Sequence, residues 1–261
     1  MKKHSFKDWL IAVRPWSFPA SAMPVIFTLA YLYWAYGVIE WANGLLALVG
    51  IVIFHASGNA WSDYFDFERG VDRVDTFGVK TLTSGQFMPL EIRNLAIGLM
   101  VPAVVIGLWL VTRTGLPLLW IGVCGAMCSL LYPCLKYRAF GDFVIFVAYA
   151  ILPTLGITYI TMGRFLPDVW WIIVPVGLIT VAILHANNTR DIDTDVRAKI
   201  STLAMKLGVK IDIYLYMFEV LFPFLWIAIC VLLGNFPWWS LLTIIGILPA
   251  IANARTMLRL P

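Results

Sequence analysis

Apolar runs about 20 residues long recur along the whole chain, and each is long enough to carry a helix across the hydrocarbon core of a bilayer. Eight such runs are read, at roughly 17–36, 43–65, 92–112, 115–134, 141–161, 168–189, 211–233 and 237–256. All are apolar over most of their circumference, as spanning helices are. Composition agrees: of 261 residues 61% are hydrophobic and 13% charged, where a soluble domain carries about 25% charge. A soluble globule, a disordered chain and a repeat array are thereby excluded. The expected fold is all-α, a polytopic membrane bundle of eight to nine helices around a central cavity, formed by residues 1–261 as a single domain.

Charge placement gives the orientation. Seventeen of the 19 Lys and Arg residues fall at the N-terminus, the C-terminus and the loops near 66–91, 135–140 and 190–210, whereas Arg113 and Arg164 alone lie on the other side. Cytoplasmic loops are the ones enriched in Lys and Arg, so both termini are expected inside, in a cell inner membrane. Residues 5–13 read as a short interfacial helix, with Trp9 and Trp16 at headgroup depth. No signal peptide is expected, because no small-residue cleavage site follows the basic start. Cys124, Cys128, Cys134 and Cys230 follow no metal spacing and are expected as buried free thiols. The lipid bilayer is a partner; nucleic acid is not expected to be one.

The acidic residues are more unevenly spread. Asp63, Asp66, Glu68, Asp72 and Asp75 form one stretch, and Asp191, Asp193 and Asp195 another, so eight of 15 carboxylates sit at the ends of the second and sixth spans. Charge at such a place is costly unless solvated or paired. Both stretches contain Asn-x3-Asp, at 59/63 and 187/191, with a further carboxylate at Asp66 or Asp195. Three- and four-residue steps return to one helix face, so each stretch projects an Asn and two Asp in a row. Two similar halves facing across a cavity are suggested.

Two facing acidic rows repel unless something neutralises them. Mg²⁺ does so with one or two carboxylates while keeping waters and phosphate oxygens. Metal-bridged diphosphate therefore fits, with Asp63, Asp66, Asp191 and Asp195 as candidate metal ligands. Arg14, Arg69, Lys80, Arg190 and Lys199 are candidate diphosphate-binding cations. A calcium loop at Asp191-x-Asp193-x-Asp195 is rejected, since Val196 and Thr202 stand where Gly and Glu belong. His55 and His185 precede the two acidic rows within a turn of an Asn, which suits hydrogen-bonded support better than direct ligation.

On these residues the chain resembles the UbiA superfamily of intramembrane prenyltransferases. Arg14-Pro15 is similar to that family's motif before the first span. Asn59-x3-Asp63-x2-Asp66 with Gly70 and Asp72 resembles its first acidic motif, and Leu82-Thr83-Ser84-Gly85 the turn after it. Asn187-Asn188-x-Arg190-Asp191-x3-Asp195, then Thr202-Leu203-Ala204, resembles the second. These spellings, with Tyr132-Pro133, Leu135 to Arg138 and Gly141-Asp142, are most similar to the branch that prenylates 1,4-dihydroxy-2-naphthoate for menaquinone. The family usually has nine spans, and its branch carries a basic pair after the last Asp where this chain has Ala198-Lys199-Ile200.

The resemblance implies an Mg²⁺-dependent transferase whose partners are a polyprenyl diphosphate and an aromatic acceptor. Asn59 and Asn188 are implied as neutral catalytic neighbours of the four Asp. An allylic cation forms in a dry pocket, aromatic faces stabilise it, and the acceptor ring attacks with loss of CO₂. Lys136, Arg138 or Arg190 are implied to steer an acidic acceptor. Other acceptors, namely 4-hydroxybenzoate, homogentisate or a glycerol-phosphate lipid, stay open. An ion-coupled secondary transporter is the alternative of another class. A CDP-alcohol transferase is disfavoured because its Asp-Gly-x2-Ala-Arg signature is missing.

Overall fold

The structure is a computed structural model that describes residues 4–37, 39–74, 79–136, 138–197 and 200–259. Seven helical stretches are long and apolar enough to cross a membrane, and the shorter apolar stretch Leu116–Tyr132 is an eighth. The long helices are α2 (Pro19–Tyr36), α3 (Trp41–Glu68), α4 (Pro89–Thr114), α5 (Leu116–Lys136), α8 (Trp170–Arg190) and α11 (Val209–Leu232). The fifth span is composite: α6 (Gly141–Phe146), a π-helical segment Val147–Ile151 and α7 (Leu152–Met162). The last begins as a 3₁₀ segment, Trp238–Gly246, and continues as α12 (Ile247–Met257). Three short helices complete the chain: α1 (Phe6–Ala12), α9 (Ile192–Arg197) and α10 (Leu203–Leu207). The eight expected spans are all found, with no ninth among the described residues.

No aqueous solvent satisfies polar groups at membrane depth, so each must be satisfied within the protein. The buried threonines do this locally. Thr28, Thr158, Thr161 and Thr180 each donate to the carbonyl one turn back, at 2.6–2.8 Å. Apolar packing then joins the helices. Val25, Leu29 and Leu32 of α2, Ile157 and Ile160 of α7, and Ile173 and Val176 of α8 share one buried cluster. At the far end from the acidic rows, α2 and α7 stop at Gly37 (φ 78°) and Gly163 (φ 70°), a left-handed conformation that glycine adopts without penalty. Tyr31 and Tyr36 there both donate to Asp168, at 3.2 and 2.6 Å.

The interfacial helix is shorter than expected and differently set. Ser5 and Asp8 cap α1 reciprocally, Asp8 Oδ2 accepting from the Ser5 amide at 2.7 Å and Ser5 Oγ from the Asp8 amide at 3.3 Å. Phe6 and Trp16 point outward. Trp9 does not. It packs edge-on against Phe87 at 4.7 Å, and Gln86 donates to Asp8 at 2.8 Å, so the 79–88 loop holds α1 down. The cysteines also depart from expectation. All are free, but only Cys230 is buried; Cys124 and Cys134 lie on the exposed face of α5 and Cys128 is half-buried. An apolar run in a membrane helix has no obligation to face protein, since lipid solvates it equally well.

Gly177 lets α8 seat against α6: a Cβ there would lie 2.3 Å from the Phe146 ring. Gly177→Ala is therefore expected to cost about 1–3 kcal/mol through overpacking, read as a lowered thermal midpoint in detergent. Gly98→Ala, where nothing stands within 4 Å, should leave the midpoint unchanged or raise it slightly.

Candidate active site

A cavity of about 960 Å³ runs through the bundle, lined from α2, α3, α4, α5, the composite fifth span and α8. Its wall includes Asp66 near one end of α3 and Ala47 near the other. At 1.5 Å per residue that stretch is roughly 28 Å, close to the thickness of a bilayer core. The deep part is apolar, with Ile51, Ile106, Leu110, Leu118 and Ile160. The polar part is confined to one end, where Arg14, Asn59, Asp66, Asp72, Lys136, Asn188, Arg190, Asp191 and Asp195 meet.

The first acidic row stands on α3 as its spacing predicts. Asp63 and Asp66 are both buried. Arg14 donates to Asp63 through Nη2, and Arg14 and Asp66 line the cavity wall whereas Asp63 does not. Lys136 Nζ, at the end of α5, lies 3.4 Å from Asp66 Oδ2, to which Ser62 also donates at 3.3 Å. Asn59 uses its amide nitrogen on the turn carrying Arg14, donating to the Val13 carbonyl at 3.0 Å and to Ser17 Oγ at 2.9 Å. His55 lies one turn further along, 2.9 Å from Ser21 Oγ, and supports that turn without touching a carboxylate of the row.

The second row is not one continuous helix. α8 ends at Arg190, Asp191 is its C-cap, and Asp195 belongs to α9. The Asp195 amide donates to the Asp191 carbonyl at 2.8 Å, which preserves the four-residue step across the break. Arg190 grips Asp191 with two parallel bonds of 2.7 and 2.8 Å. Asn188 is buried and donates to Asp142 at 3.3 Å, whereas Asn187 is exposed.

The two rows face each other electrostatically. Burial pushes the Asp195 carboxyl from its ordinary 3.8 up to about 6, against the pull of Lys136 and with the push of the Asp191 and Asp66 charges. Asp72 is raised too, first by burial and then by Asp66, with Arg14, Lys136 and Lys80 opposing. Lys136 thus serves carboxylates from both rows. Among the described residues no three His, Cys, Asp or Glu side chains converge closely enough to hold a cation by themselves.

Some expected residues lie elsewhere. Arg69 is exposed, 3.7 Å from Cys134 Sγ and over the Phe65 ring, off the cavity wall. Arg138 is exposed and bridges to Ser201, also off the wall. Lys80 does not reach the wall; its Nζ donates to the Arg73 carbonyl at 2.9 Å, although its charge acts on Asp72. Lys199 and Asp75 lie outside the described residues. Conversely, Asp72, Asp142, Tyr132 and Tyr149 stand at the site or its wall without having been singled out as site residues. Asp72 had a signal in its position just after Gly70. Tyr149 had none, because its place depends on the π-helical segment that turns it toward His55, 5.1 Å away.

The sequence model described as the UbiA prenyltransferase family matches residues 22–260. The chain belongs to the UbiA prenyltransferase family. Among curated relatives, UbiA prenyltransferase domain-containing protein 1 from Danio rerio is 32% identical over 227 residues, covering 83% of this chain and 66% of the relative. Its Xenopus tropicalis counterpart is 30% identical over 236 residues, covering 86% and 68%. The chain thus spans about two thirds of the length of these relatives, and their names give no acceptor. A solved UbiA homolog from Archaeoglobus fulgidus bound to DMAPP and Mg²⁺ superposes with a TM-score of 0.67 at 13% identity, over 95% of this chain and 86% of that one. A digeranylgeranylglyceryl phosphate synthase structure gives 0.63 at 22% identity, over 96% and 85%. These two structures share the fold.

The raised Asp195 carboxyl makes a prediction about stability. A group that binds protons more readily when folded penalises the folded state at pH above its raised value, and the penalty fades as pH falls towards 3.8. The metal-free protein is expected to gain thermal stability from pH 7 to pH 5. Asp195→Asn should flatten that part of the profile, measured by thermal unfolding in detergent across pH.

Proposed function

We propose that this family member transfers a prenyl group from a polyprenyl diphosphate to an aromatic acceptor, with residues 1–261 acting as one catalytic domain. One observation carries the reading: acidic rows from two helices meet across the polar end of an apolar cavity as deep as a bilayer. A lipid-tailed anion fits both parts at once, its diphosphate among the charges and its isoprenoid chain along Ile51, Leu110 and Ile160. A transporter fits less well, since its site belongs near the bilayer midplane and these charges gather at one end.

The donor set suits magnesium. Hard carboxylate oxygens of Asp66, Asp191 and Asp195 line one end of the cavity, and among the described residues they form no complete cage, which matches an ion that keeps waters and phosphate oxygens in its shell. Asp66, Asp191 and Asp195, which line the wall, would hold it, with Asp63 of the first row behind them under Arg14 and Asn59 and Asn188 as neutral neighbours. Bound there, the ion supplies positive charge for the departing diphosphate. Arg14 Nε is buried with no hydrogen-bond partner at the cavity wall, a donor that a phosphate oxygen would satisfy. Lys136 and Arg190 add charge from the same wall. Arg69, Lys80, Arg138 and Lys199 are assigned lesser roles in attracting the anion to the mouth.

Departure of diphosphate leaves an allylic cation. The apolar wall keeps water from it, and Tyr132, Tyr149 and Phe54 line that wall, where aromatic rings would stabilise a cation. Attack by an electron-rich ring completes the transfer. The spelling of both motifs favours 1,4-dihydroxy-2-naphthoate, whose carboxylate Lys136 or Arg190 would orient before it leaves as CO₂. The Lys and Arg asymmetry supports a cytoplasmic side for the motifs and both termini, and an inner cell membrane is the location that goes with this reading.

Purified protein given isotopic polyprenyl diphosphate is expected to label dihydroxynaphthoate and to label 4-hydroxybenzoate, homogentisate or a glycerol-phosphate lipid weakly or not at all. Labelling of another acceptor would replace the acceptor and keep the reaction. EDTA should stop turnover and added Mg²⁺ restore it. Asp63→Asn and Asp191→Asn should each reduce turnover about 10²–10³-fold, on the scale of removing an electrostatic catalytic group, with membrane insertion intact. Near-normal product from either variant would refute the assignment.

A further inference from the structure

A second polar cluster lies outside the cavity wall. His185 of α8 is fully buried. Its Nε2 is 2.7 Å from Asp212 Oδ1 and its Nδ1 is 3.0 Å from Glu219 Oε2, both on α11. The carboxylates are 0% and 3% exposed. Thr189, one turn after His185, donates to the other Asp212 oxygen at 2.7 Å. Asp212 and Glu219 are seven residues apart, two turns on one face of α11, and Tyr216 between them meets the His185 ring edge-on. None of His185, Asp212 or Glu219 lines the cavity.

Ionisable side chains at membrane depth are expensive, and a purely adhesive contact is made more cheaply by apolar packing. Elsewhere this helix pair is joined through Ala182, Tyr216 and Val220, with one neutral polar bond, from Trp226 Nε1 to the Trp171 carbonyl at 3.0 Å, at the opposite end of α8. The polar bonds sit where α8 is about to end, on residues 185 and 189, just before the Asp191 cap. On another side of the same turn, Asn188 is bonded to Asp142 of α6. The Nε2 contact to Asp212 is a hydrogen bond, whereas Nδ1 and Glu219 Oε2 stand 3.0 Å apart without hydrogen-bond geometry, so Asp212 and Thr189 hold the ring's side of α8 and Glu219 closes over it.

We infer that His185, Asp212, Glu219 and Thr189 form a positioning cluster that locks the last turn of α8 and thereby sets the approach of Asp191 and Asp195 to the first acidic row. The inference rests on the proposed reading of the rows as the site for metal and diphosphate. The cluster touches neither substrate nor metal. It acts through the helix end, so the quantity it governs is the affinity of the paired rows for Mg²⁺ with an anion.

The test uses the full chain in detergent and two titrations of Mg²⁺. One reads the thermal shift in the presence of inorganic pyrophosphate, and the other reads prenyl transfer. In Asp212→Asn and His185→Gln the Mg²⁺ concentration at half effect is expected to rise about 10–100-fold in both titrations, the usual consequence of losing groups that orient metal ligands. Turnover at saturating Mg²⁺ should stay within a few-fold of the parent. Thr189→Val removes only the hydroxyl and leaves the His185–Asp212 bond in place, which makes it the mildest of the three variants, and it should show the same displacement to a smaller degree. Gly177→Ala loosens α8 at another place, lowering stability without moving the Mg²⁺ midpoint. Folded cluster variants with a parental midpoint, or Gly177→Ala shifting it equally, would reduce the cluster to a structural anchor. If the unmodified chain itself responds to neither Mg²⁺ nor pyrophosphate and transfers nothing, the reading of the rows falls and the inference falls with it. If the unmodified chain responds and the variants match it, only the inference falls.

Discussion

Neutralising buried carboxylate at the edge of a membrane is the constraint on which this structure depends. Asp63 and Asp66 are almost removed from solvent, and losing the partner of a buried charge costs about 3–5 kcal/mol. The chain meets this with one cation for each, Arg14 for Asp63 and Lys136 for Asp66, and Arg190 pairs likewise with the half-buried Asp191 of the second row. Each arrives from a different part of the chain. Arg14 comes from the turn before α2, Lys136 from the end of α5 and Arg190 from the end of α8. Convergence of these elements at one end of the bundle is therefore an electrostatic requirement as well as a packing one. Lys136 is central, because its charge acts on Asp195 as well as on Asp66.

The apolar depth of the cavity has a different origin on the same helices. Along α3, residues 47–54 contribute Ala47, Gly50, Ile51 and Phe54 to the wall, while 59–66 contribute Asn59, Ser62 and Asp66. A single helix thus changes from a lipid-like surface to a charged one over two to three turns. The fifth span makes room beside it by passing through a π-helical segment, from which Ala148 and Tyr149 face the cavity. Such insertions are known to re-aim side chains at functional places.

Most of the span pattern was legible because apolar runs of bilayer length leave few alternatives, and the observed spans differ from the expected ones by a few residues at their ends. The acidic rows were legible for a similar reason, since three- and four-residue spacing fixes a helix face. What the spacing could not reveal was which cations reach those faces. Arg69 neighbours Asp66 closely in sequence yet stands on the outer surface over Phe65, whereas Lys136, seventy residues away, makes the contact. Helix geometry sends residues 66 and 69 to neighbouring directions only while the helix continues, and α3 stops at Glu68. Trp9 and the α5 cysteines were misplaced for a further reason. Hydrophobicity states that a side chain avoids water and does not state whether protein or lipid receives it.

Asn59 shows how a motif residue can have more than one duty. Read from spacing alone it is a neutral member of a ligand row. In the structure its amide nitrogen is committed to the Val13 carbonyl and Ser17 hydroxyl, and Ser17 in turn donates to the Arg14 carbonyl at 2.8 Å. Arg14 between them has φ 55°, a left-handed conformation that costs a residue with a side chain about 1–3 kcal/mol and persists only where its surroundings enforce it. Asn59 from below, Ser17 from the following turn and Asp63 at the guanidinium are those surroundings. The first acidic row therefore does more than present carboxylates. It holds the backbone turn that brings Arg14 over Asp63, so the cation and the anion it covers are positioned by two residues one turn apart on α3, Asn59 and Asp63.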